Sequence, residues 1–199
     1  MKFSQSQNLN KYFNMNIIQT EFRDLYIIEP SIFEDDRGYF FESFNYEKFT
    51  KETSLTINFV QDNESMSNKG VLRGLHLQIS PKSQAKLVRV VSGSVNDVVV
   101  DLRKEEPTYG KYFKIHLSAE NNKQLFIPSG FAHGFLSLQD NTKFLYKCSD
   151  FYSKEHEFTI IWNDTDLKID WQIENPIISE KDENGINFET FINKNCVTY

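Results

Sequence analysis

The sequence predicts an all-β sandwich or barrel, and three observations indicate that class. Phenylalanine and tyrosine are abundant, with 18 and 9 residues in a chain of 199, and both favour strands. Short apolar runs, several of them alternating with polar residues, recur along the chain at short spacing. Glycine, proline and asparagine residues separate these runs with turns, as they do in sandwiches and barrels.

Length and composition predict one globular domain. The chain has 39% hydrophobic residues, shows no internal repeat or linker, and is long enough to bury one core. Residues 1–14 are polar and lack a period, so we expect a flexible leader, with Met15 as a candidate second start. Residues 15–199 then form the single domain.

Charge and cysteine content limit the partners and the compartment. The net charge of −6 disfavours nucleic acid, whereas a few arginines in a cleft suffice for a small phosphorylated ligand. No run of about 18 apolar residues is present, so we expect no membrane span. Two cysteines and no secretory signal predict a reduced, cytoplasmic protein.

The first third of the chain is predicted to contain strands and one short helix. Its apolar and aromatic runs are interrupted by a charged turn that ends in glycine. We predict strands at residues 17–30, 39–44 and 57–61, a turn at 35–38, and a helix at 46–53. Residues 61–65 are too polar for the core.

The central segment places charged residues among strand residues. Residues 72–78 and 86–91 are strand-like, and a Ser-Gly-Ser turn at 92–94 predicts that residues 95–102 pair with 86–91 as a hairpin. Strict alternation would put Leu72, Gly74, His76 and Gln78 on one face of the first strand, and Lys86, Val88 and Val90 on one face of the second. A lysine whose strand neighbours are valines is expected to be buried or half-buried, and a lysine in such a place needs a reason.

The last third is predicted to return to strands and to end in helices. We predict strands at residues 111–117, 124–127, 131–136 and 143–147, short strands at 160–162 and 169–171, and helical structure from Ser179 onward. Cys148 is predicted to be a packing residue.

Several motifs at consistent spacing resemble the dTDP-4-dehydrorhamnose 3,5-epimerase family, from about residue 20 to residue 182. They are Phe-Val-Gln-Asp-Asn at 59–63, Val-Leu-Arg-Gly-Leu-His at 71–76, Lys-Leu-Val-Arg-Val at 86–90, Asp-Val-Val-Val-Asp-Leu-Arg at 97–103, Ile-Pro-Ser-Gly-Phe-Ala-His-Gly-Phe at 127–135, and Phe-Leu-Tyr-Lys at 144–147.

The resemblance implies a fold, a reaction and partners. The fold is a double-stranded β-helix, the cupin-like jelly roll, here with short C-terminal helical segments. The reaction is inversion of C3 and C5 of a nucleoside-diphosphate 4-keto-6-deoxy sugar, dTDP-4-dehydro-6-deoxy-D-glucose becoming dTDP-4-dehydro-L-rhamnose, in a homodimer without metal or other cofactor.

Inverting a carbon next to a ketone requires a base, an acid on the opposite face, and a group that stabilises the enolate. His76 is the candidate base, because an ordinary histidine titrates near neutral pH. By resemblance, Asp182 orients His76, Lys86 stabilises the enolate oxygen, and Tyr146 delivers the proton from the other face. The rival interpretation of Asp182 is a residue of a helix N-terminal turn beginning near Ser179.

The resemblance also implies a set of substrate-binding residues. Some of them belong to the nucleotide-sugar pocket, two lie near or across the dimer interface, and two are weaker matches. In that order they are Gln61, Asn63, Arg73 and His133, then Arg37 and Glu42, then Glu157 and Lys181.

One local conflict follows from the period of a strand. Regular alternation sends Arg73 and His76 to opposite faces, although both are expected in one pocket. Gly74 lies between them and permits a bulge that would re-aim one side chain.

Three rival functions stay open at this stage. A metal-dependent cupin needs three or four converging histidine or carboxylate ligands, and His76 has no His-x-His partner. A second rival keeps the substrate but inverts only C3 or only C5, or moves the ketone. The third is a non-catalytic sugar-binding cupin, which would have no need of His76, Lys86 and Tyr146 together.

Overall fold

Two antiparallel sheets form the body of the computed structural model, which describes residues 15–194 and 199. The strands are β1 (Asn16–Gln19), β2 (Tyr26–Glu29), β3 (Phe33–Asp35), β4 (Gly38–Phe40), β5 (Gln61–Ser67), β6 (Leu72–Gln78), β7 (Lys86–Ser92), β8 (Ser94–Asp101), β9 (Tyr112–Ser118), β10 (Gln124–Ile127), β11 (Phe131–Ser137), β12 (Thr142–Cys148) and β13 (Glu157–Thr159). The helices are α1 (Tyr46–Thr53), α2 (Glu180–Glu183) and α3 (Phe188–Asn193), and a 3₁₀ turn spans Lys154–His156.

The strand order is that of a jelly roll. One sheet has the order β1-β2-β10-β7-β12-β5, the other β13-β6-β11-β8-β9, and β3 and β4 form a separate hairpin. Successive strands from β6 to β12 mostly alternate between the two sheets, so the chain winds around a common interior. The predicted double-stranded β-helix is confirmed. No helix of the described residues is long and apolar enough to cross a membrane.

The predicted hairpin of residues 86–102 is wrong. β7 pairs with β10 and β12, whereas β8 pairs with β11 and β9 in the opposite sheet. The chain crosses between sheets at Gly93, which has φ +76° and where a Cβ would lie 2.3 Å from the hydroxyl oxygen of Thr142. A tight turn between two apolar strands has the same sequence pattern whether the two strands pair with each other or belong to different sheets.

Three apolar clusters fill the fold. The cluster between the sheets contains inward residues of β7, β8, β10, β11 and β12, among them Val88, Val99 and Phe144. A second cluster lies on the outer face of the six-stranded sheet, where Phe49 of α1 packs against Phe126. The third lies between the five-stranded sheet and the C-terminal segment. Each sheet therefore has apolar packing on both of its faces.

The predicted helix at residues 46–53 is confirmed, and its ends explain its bounds. The Asn45 side chain accepts a hydrogen bond from the Lys48 N–H and caps the first turn. Ser54 adopts a left-handed conformation with φ 61° and ends the helix. The helical structure predicted from Ser179 onward is also present, as α2 and α3.

Several predicted strand bounds are wrong. Residues 17–30 form two strands, β1 and β2. Of the strand predicted at 39–44, only 39–40 belong to β4, and residues 57–60 are irregular up to the start of β5. The polar run at residues 61–65, predicted to lie outside the core, belongs to the edge strand β5. A polar run can form this strand because an edge strand leaves alternate side chains exposed. Residues 160–162 and 169–171 are not strands; the late strand is β13. The predicted leader, residues 1–14, lies outside the described residues.

Candidate active site

Polar side chains replace apolar ones at one set of inward positions in the barrel. On β7, Lys86 shares the inward face with Val88 and Val90, as the alternation predicted. On β8, Asp97 lies between the inward residues Val95 and Val99. Polar groups inside an apolar barrel are costly unless they are paired or used.

The opposite strands complete this polar set. On β11, His133 takes the inward position between Phe131 and Phe135. On β12, Tyr146 and Cys148 follow the inward Phe144. The site is therefore built from both sheets.

A bulge in β6 resolves the conflict between Arg73 and His76. Arg73 pairs with Phe135 and His76 with His133, so two residues of β6, Gly74 and Leu75, oppose the single Gly134 of β11. Leu72, Leu75 and Leu77 all pack in the outer cluster. Arg73 and His76 consequently share the inward face, and the grouping of Leu72 with His76 is wrong.

Glycine is required on both strands at this bulge. Gly74 has φ +126°, and a Cβ there would lie 2.5 Å from Gly134 Cα and 2.8 Å from the His133 carbonyl oxygen. A Cβ on Gly134 would lie 2.8 Å from the Arg73 carbonyl oxygen. The two backbones approach so closely that neither position tolerates a side chain without displacement.

Asp182 lies against His76. The distance from His76 Nε2 to Asp182 Oδ1 is 2.5 Å, and the Gly74 N–H donates to Asp182 Oδ2 at 3.4 Å. Burial raises the pKa of the Asp182 carboxyl, but the His76 hydrogen bond and charge, the Gly74 N–H and the Ser179 hydroxyl outweigh it and lower the pKa overall. Ser179 caps α2 by accepting from the Asp182 N–H, so the Asp182 side chain itself is not the cap.

The tautomer of His76 follows from this contact. An ionised carboxylate only accepts hydrogen bonds, so Nε2 carries the proton. Nδ1 is then left without a proton in the neutral ring, as a base requires.

Lys86 is half-buried beside the strand partner Cys148. Burial lowers the pKa of its ammonium, and the charges of Cys148, Glu157 and Asp97 oppose that shift. A cation in this position is desolvated on the side of the barrel interior, where a developing negative charge would be strongly stabilised.

His133 and Asp97 form a second buried histidine–carboxylate pair. His133 Nε2 lies 2.9 Å from Asp97 Oδ2, and the His133 ring stacks on Phe144. Burial lowers the pKa of His133 and raises the pKa of Asp97, in each case against the attraction of the partner. Burial therefore favours the uncharged form of both groups.

Tyr146 lies on β12 across from Asn63 of β5. Burial raises the pKa of the Tyr146 hydroxyl, which keeps the phenol protonated. Gln61 donates to the Asn63 side chain at 3.1 Å, and Asn63 donates to Cys148 Sγ at 3.7 Å. Cys148, predicted to be a packing residue, is buried but also takes part in the polar site.

Arg73 is an exposed residue at the edge of the site. Its Nε donates to the Ser67 hydroxyl at 3.0 Å, and its Nη2 donates to the Met66 carbonyl at 3.1 Å. These two bonds fix the guanidinium while leaving further N–H groups for a ligand.

Glu157 and Lys181 bind each other near this site. Lys181 Nζ lies 2.5 Å from Glu157 Oε1, and the Tyr152 hydroxyl donates to Glu157 Oε2 at 2.9 Å. Glu157 begins β13, which pairs with β6 so that Thr159 faces His76.

The structure does not bring Arg37 and Glu42 to the site. Arg37 lies in the β3–β4 hairpin with 90% of its side chain exposed, bound to Asp35 at 2.5 Å. Glu42 is bound to Lys48 at 2.6 Å and to Asn45 at 3.0 Å, beside the start of α1.

Sequence reasoning missed Asp97, Ser67 and Tyr152. The signal for Asp97 was a carboxylate at an inward position of a valine-rich strand, and a buried carboxylate needs a partner. Ser67 and Tyr152 gave no signal, because their roles depend on hydrogen bonds to other strands. Residues 15–194 and 199 contain no cluster of three or more histidine, cysteine, aspartate or glutamate side chains arranged to hold a metal ion.

The fold and the site together define a jelly-roll enzyme that carries acid–base side chains on the facing inner surfaces of its two sheets. A family model described as dTDP-4-dehydrorhamnose 3,5-epimerase matches residues 19–190, and the chain belongs to this family. The predicted family, and the isomerase class of its members, are confirmed.

Relatives and solved structures agree with this assignment. A dTDP-4-dehydrorhamnose 3,5-epimerase from Shigella flexneri is 53% identical over 174 residues, covering 87% of this chain and 96% of that protein. A Legionella pneumophila dTDP-6-deoxy-D-glucose-3,5-epimerase in complex with dTDP-4-keto-L-rhamnose has a TM-score of 0.88 and 45% identity, covering 94% and 99% of the two chains. A 3′-monoepimerase from Streptomyces bikiniensis in complex with dTDP-quinovose has a TM-score of 0.82 and 34% identity, covering 86% and 87%.

Proposed function

We propose that the protein inverts C3 and C5 of a nucleoside-diphosphate 4-keto-6-deoxy sugar, converting dTDP-4-dehydro-6-deoxy-D-glucose to dTDP-4-dehydro-L-rhamnose. One observation carries the mechanism. His76 lies in the five-stranded sheet and Tyr146 in the six-stranded sheet, and both face the space between the sheets. A sugar ring in that space meets a base on one face and an acid on the other.

The first step is removal of the proton next to the ketone. His76 Nδ1 takes the proton from the carbon, and the electron pair of the C–H bond moves through the carbon–carbon bond onto O4, giving an enolate. Asp182, held at 2.5 Å from His76 Nε2, stabilises the imidazolium that forms. The Lys86 ammonium binds the enolate oxygen.

The second step returns a proton to the opposite face. The electron pair of the enolate takes the hydroxyl proton of Tyr146, which restores the ketone and leaves a tyrosinate. The imidazolium then loses its proton and the tyrosinate gains one by exchange with water, which resets the site. Two such cycles, at C3 and at C5, give the doubly inverted sugar.

The substrate-binding residues are assigned by the same proposal. Asn63 and Gln61 on β5, Arg73 on β6 and His133 on β11 border the acid–base groups, and Arg73 retains N–H groups that suit a phosphate oxygen. Glu157 and Lys181 are expected to border the ligand as well. The proposed chemistry uses no metal, cofactor or nucleic acid, and a cytoplasmic location is expected.

The active form is proposed to be a homodimer, in which Arg37 and Glu42 reach the ligand near or across the interface. The supporting observation is the β3–β4 hairpin. Tyr39 and Phe40 are 63% and 62% exposed there, beside the exposed Arg37. Large exposed aromatic side chains next to a cation are typical of a surface that another chain covers.

Inversion at a single carbon is the second candidate function. The solved 3′-monoepimerase has the same fold at 34% identity. The Shigella flexneri 3,5-epimerase, at 53% identity, favours double inversion. A sugar-binding module without catalysis is disfavoured, because it gives no reason for the His76–Asp182 pair and Lys86.

Incubation with dTDP-4-dehydro-6-deoxy-D-glucose in D₂O tests the proposal. Double inversion predicts deuterium at C3 and C5 and an L-rhamno product by NMR. Deuterium at only one carbon would replace the proposal with the single-site alternative. Unchanged, unlabelled substrate would reject the enzyme and favour the binding module.

A further inference from the structure

Gln78 is a buried polar residue that ends β6, and the proposed mechanism gives it no part. It is 6% exposed. Leu77, which precedes it, packs in the outer apolar cluster, so Gln78 points to the same side of the strand as His76. A buried amide needs hydrogen-bond partners for both its oxygen and its nitrogen.

The partners of Gln78 are three backbone groups in two segments that follow β6 and β12. Its Nε2 donates to the Lys82 carbonyl at 2.6 Å and to the Phe151 carbonyl at 3.2 Å. Its Oε1 accepts from the Ser153 N–H at 2.7 Å. Gln78 therefore holds the backbone on both sides of Tyr152.

The backbone of Tyr152 continues this network into the proposed ligand-binding set. The Tyr152 N–H donates to Gln61 Oε1 at 3.2 Å. Gln61 Nε2 in turn donates to Asn63 Oδ1 at 3.1 Å, and Asn63 Nδ2 donates to Cys148 Sγ at 3.7 Å. The position of one backbone N–H thus bears on two side chains that are expected to bind the substrate.

The direction of the bonds in this network is set by the backbone. A backbone N–H can only donate, so the Tyr152 N–H requires the oxygen of the Gln61 amide and leaves the Gln61 NH₂ group to face Asn63. The oxygen of Asn63 is thereby occupied. One N–H of Asn63 is used by Cys148, and the second stays available to an acceptor oxygen of the ligand.

We infer that Gln78 is a positioning residue for substrate binding. It holds the Tyr152 N–H against Gln61 and so keeps Asn63 oriented as a hydrogen-bond donor. The inference rests on the proposed function for the identity of the ligand. Gln78 acts through the backbone, because both ends of its own amide are already bound to the chain.

Gln84 provides a matched control on the same segment. Its Nε2 donates to the Asp150 carbonyl at 2.7 Å, two residues before Tyr152. Gln84→Met therefore removes one bond to this segment and leaves in place both bonds that flank Tyr152. Gln78→Met makes the same chemical change at the flanking position and keeps a side chain of similar length.

Binding of dTDP-quinovose, measured by calorimetry, tests the inference without turnover, since this sugar has no C4 ketone to enolise. Gln78→Met is expected to raise the Kd about tenfold, the loss expected for one hydrogen bond to the ligand. Gln84→Met is expected to stay within about twofold of the unmodified protein. In turnover of dTDP-4-dehydro-6-deoxy-D-glucose, Gln78→Met should raise KM and leave kcat within about twofold, because the acid–base groups keep their own contacts.

A double-mutant cycle asks whether the effect passes through Asn63. In an Asn63→Ala background, Gln78→Met should cause no further rise in the Kd, since the donor that it orients is already gone. Melting curves by circular dichroism verify that each variant is folded. Should Gln78→Met not fold, the nearly isosteric Gln78→Glu carries the same expectation, because a carboxylate cannot donate to the Lys82 and Phe151 carbonyls.

Several outcomes would overturn the inference. They are an unchanged Kd in the folded Gln78 variant, an equal rise in Gln84→Met, a fall in kcat at unchanged KM, and an undiminished rise in the Asn63→Ala background. Failure of the proposed function looks different, because the unmodified protein would then introduce no deuterium while the binding cycle could still be measured. An unmodified protein that binds no dTDP-quinovose would overturn the inference as well.

Discussion

At the scale of single residues, the candidate site is a concentration of buried and half-buried titratable side chains. Asp97, Asp182 and His133 are each less than 10% exposed, and each is hydrogen-bonded to a group of opposite type. Burying such groups is unfavourable unless they are paired, so their concentration in one part of the fold marks a site.

The roles of His76 and Tyr146 predict two different failures. His76→Asn removes the base, so both α-proton exchange with D₂O and inversion should fall by roughly 10²–10⁴-fold. Tyr146→Phe keeps the base and nearly the same packing volume, so the enolate should still form and be reprotonated on the face it left. NMR should therefore find that exchange with retention outlasts inversion in Tyr146→Phe, provided that His76 exchanges its proton with water first.

Two results would contradict these assignments. Equal loss of exchange and inversion in Tyr146→Phe, with dTDP still bound, would make Tyr146 necessary for the first proton transfer. Inversion at the normal rate in His76→Asn would remove His76 from the mechanism.

The lowered pKa of Lys86 predicts how the reaction rate changes at alkaline pH. Burial lowers the pKa of Lys86 and raises that of Tyr146, which moves the loss of the ammonium proton to lower pH and the loss of the phenol proton to higher pH. Activity that needs the ammonium is full below the lowered Lys86 pKa and is lost as the pH rises through it. We expect kcat/KM to fall at a pH below the ordinary lysine value of about 10.4.

Lys86→Arg distinguishes the two groups, since arginine stays charged throughout this range. The alkaline fall should move to higher pH in Lys86→Arg, whatever the loss in rate, and should stay in place in Tyr146→Phe. An alkaline limb that is unchanged in Lys86→Arg and absent in Tyr146→Phe would assign it to the tyrosine.

The bulge in β6 is the decisive feature at the scale of elements. It inserts one extra residue opposite Gly134 and thereby turns Arg73 toward the face that carries His76. A regular strand would place one of these side chains in the outer apolar cluster, where a charge has no partner.

Gly74→Ala should therefore be much more harmful than the same change at Gly38. Both glycines have a positive φ, +126° and +117°, that side-chain-bearing residues rarely adopt, so both alanine substitutions are strained. Only at Gly74 would the new Cβ meet backbone atoms, whereas at Gly38 nothing lies within 4 Å. Gly74→Ala should lose about 1–3 kcal/mol more unfolding free energy than Gly38→Ala.

Urea unfolding of the two variants measures the difference, and an assay of the folded Gly74→Ala protein tests the link to function. Since the bulge aims both Arg73 and His76, we expect a higher KM and a lower kcat in that variant. Equal stability of the two alanine variants would mean that β6 and β11 separate easily at the bulge.

At the scale of the whole molecule, the proposed homodimer predicts that Arg37 of the β3–β4 hairpin acts in the site of the other subunit. If Arg37 acts in the site of a partner, a mixture of Arg37→Ala and His76→Asn chains should regain activity after subunit exchange. Half of the dimers would be mixed, each with one intact site, so about a quarter of the wild-type activity is expected. The assay is run below KM, where loss of a binding residue is fully expressed.

Sedimentation supplies the control, because the mixture can complement only if the protein is a dimer at the assay concentration. A fully active monomer, or a dimeric mixture with no gain in activity, would refute the cross-subunit role of Arg37.

Treatment with a chelator tests the proposed chemistry of the whole site. We expect the rate to survive exhaustive dialysis against EDTA, because in the proposed mechanism His76 is the base, Lys86 stabilises the enolate and Tyr146 is the acid, without a metal. A rate that falls with EDTA and returns with one divalent ion would overturn the metal-free mechanism.

The sequence by itself determined the fold class, most strand positions, the helix at residues 46–53 and the family. Strand runs, turn residues and motifs are local, and local patterns record which residues are extended and which side of a strand is apolar. On the same basis the inward direction of Lys86, Val88 and Val90 was predicted correctly.

Only the tertiary structure decided which strands are neighbours and which side chains meet. The 86–102 hairpin was wrong because a turn does not record whether the chain stays in one sheet, and the late strands were wrong because short apolar runs also pack as coil. Asp97 escaped the sequence because its partner His133 lies 36 residues away along the chain. The contact comes from the pairing of β8 with β11, which neither strand contains by itself.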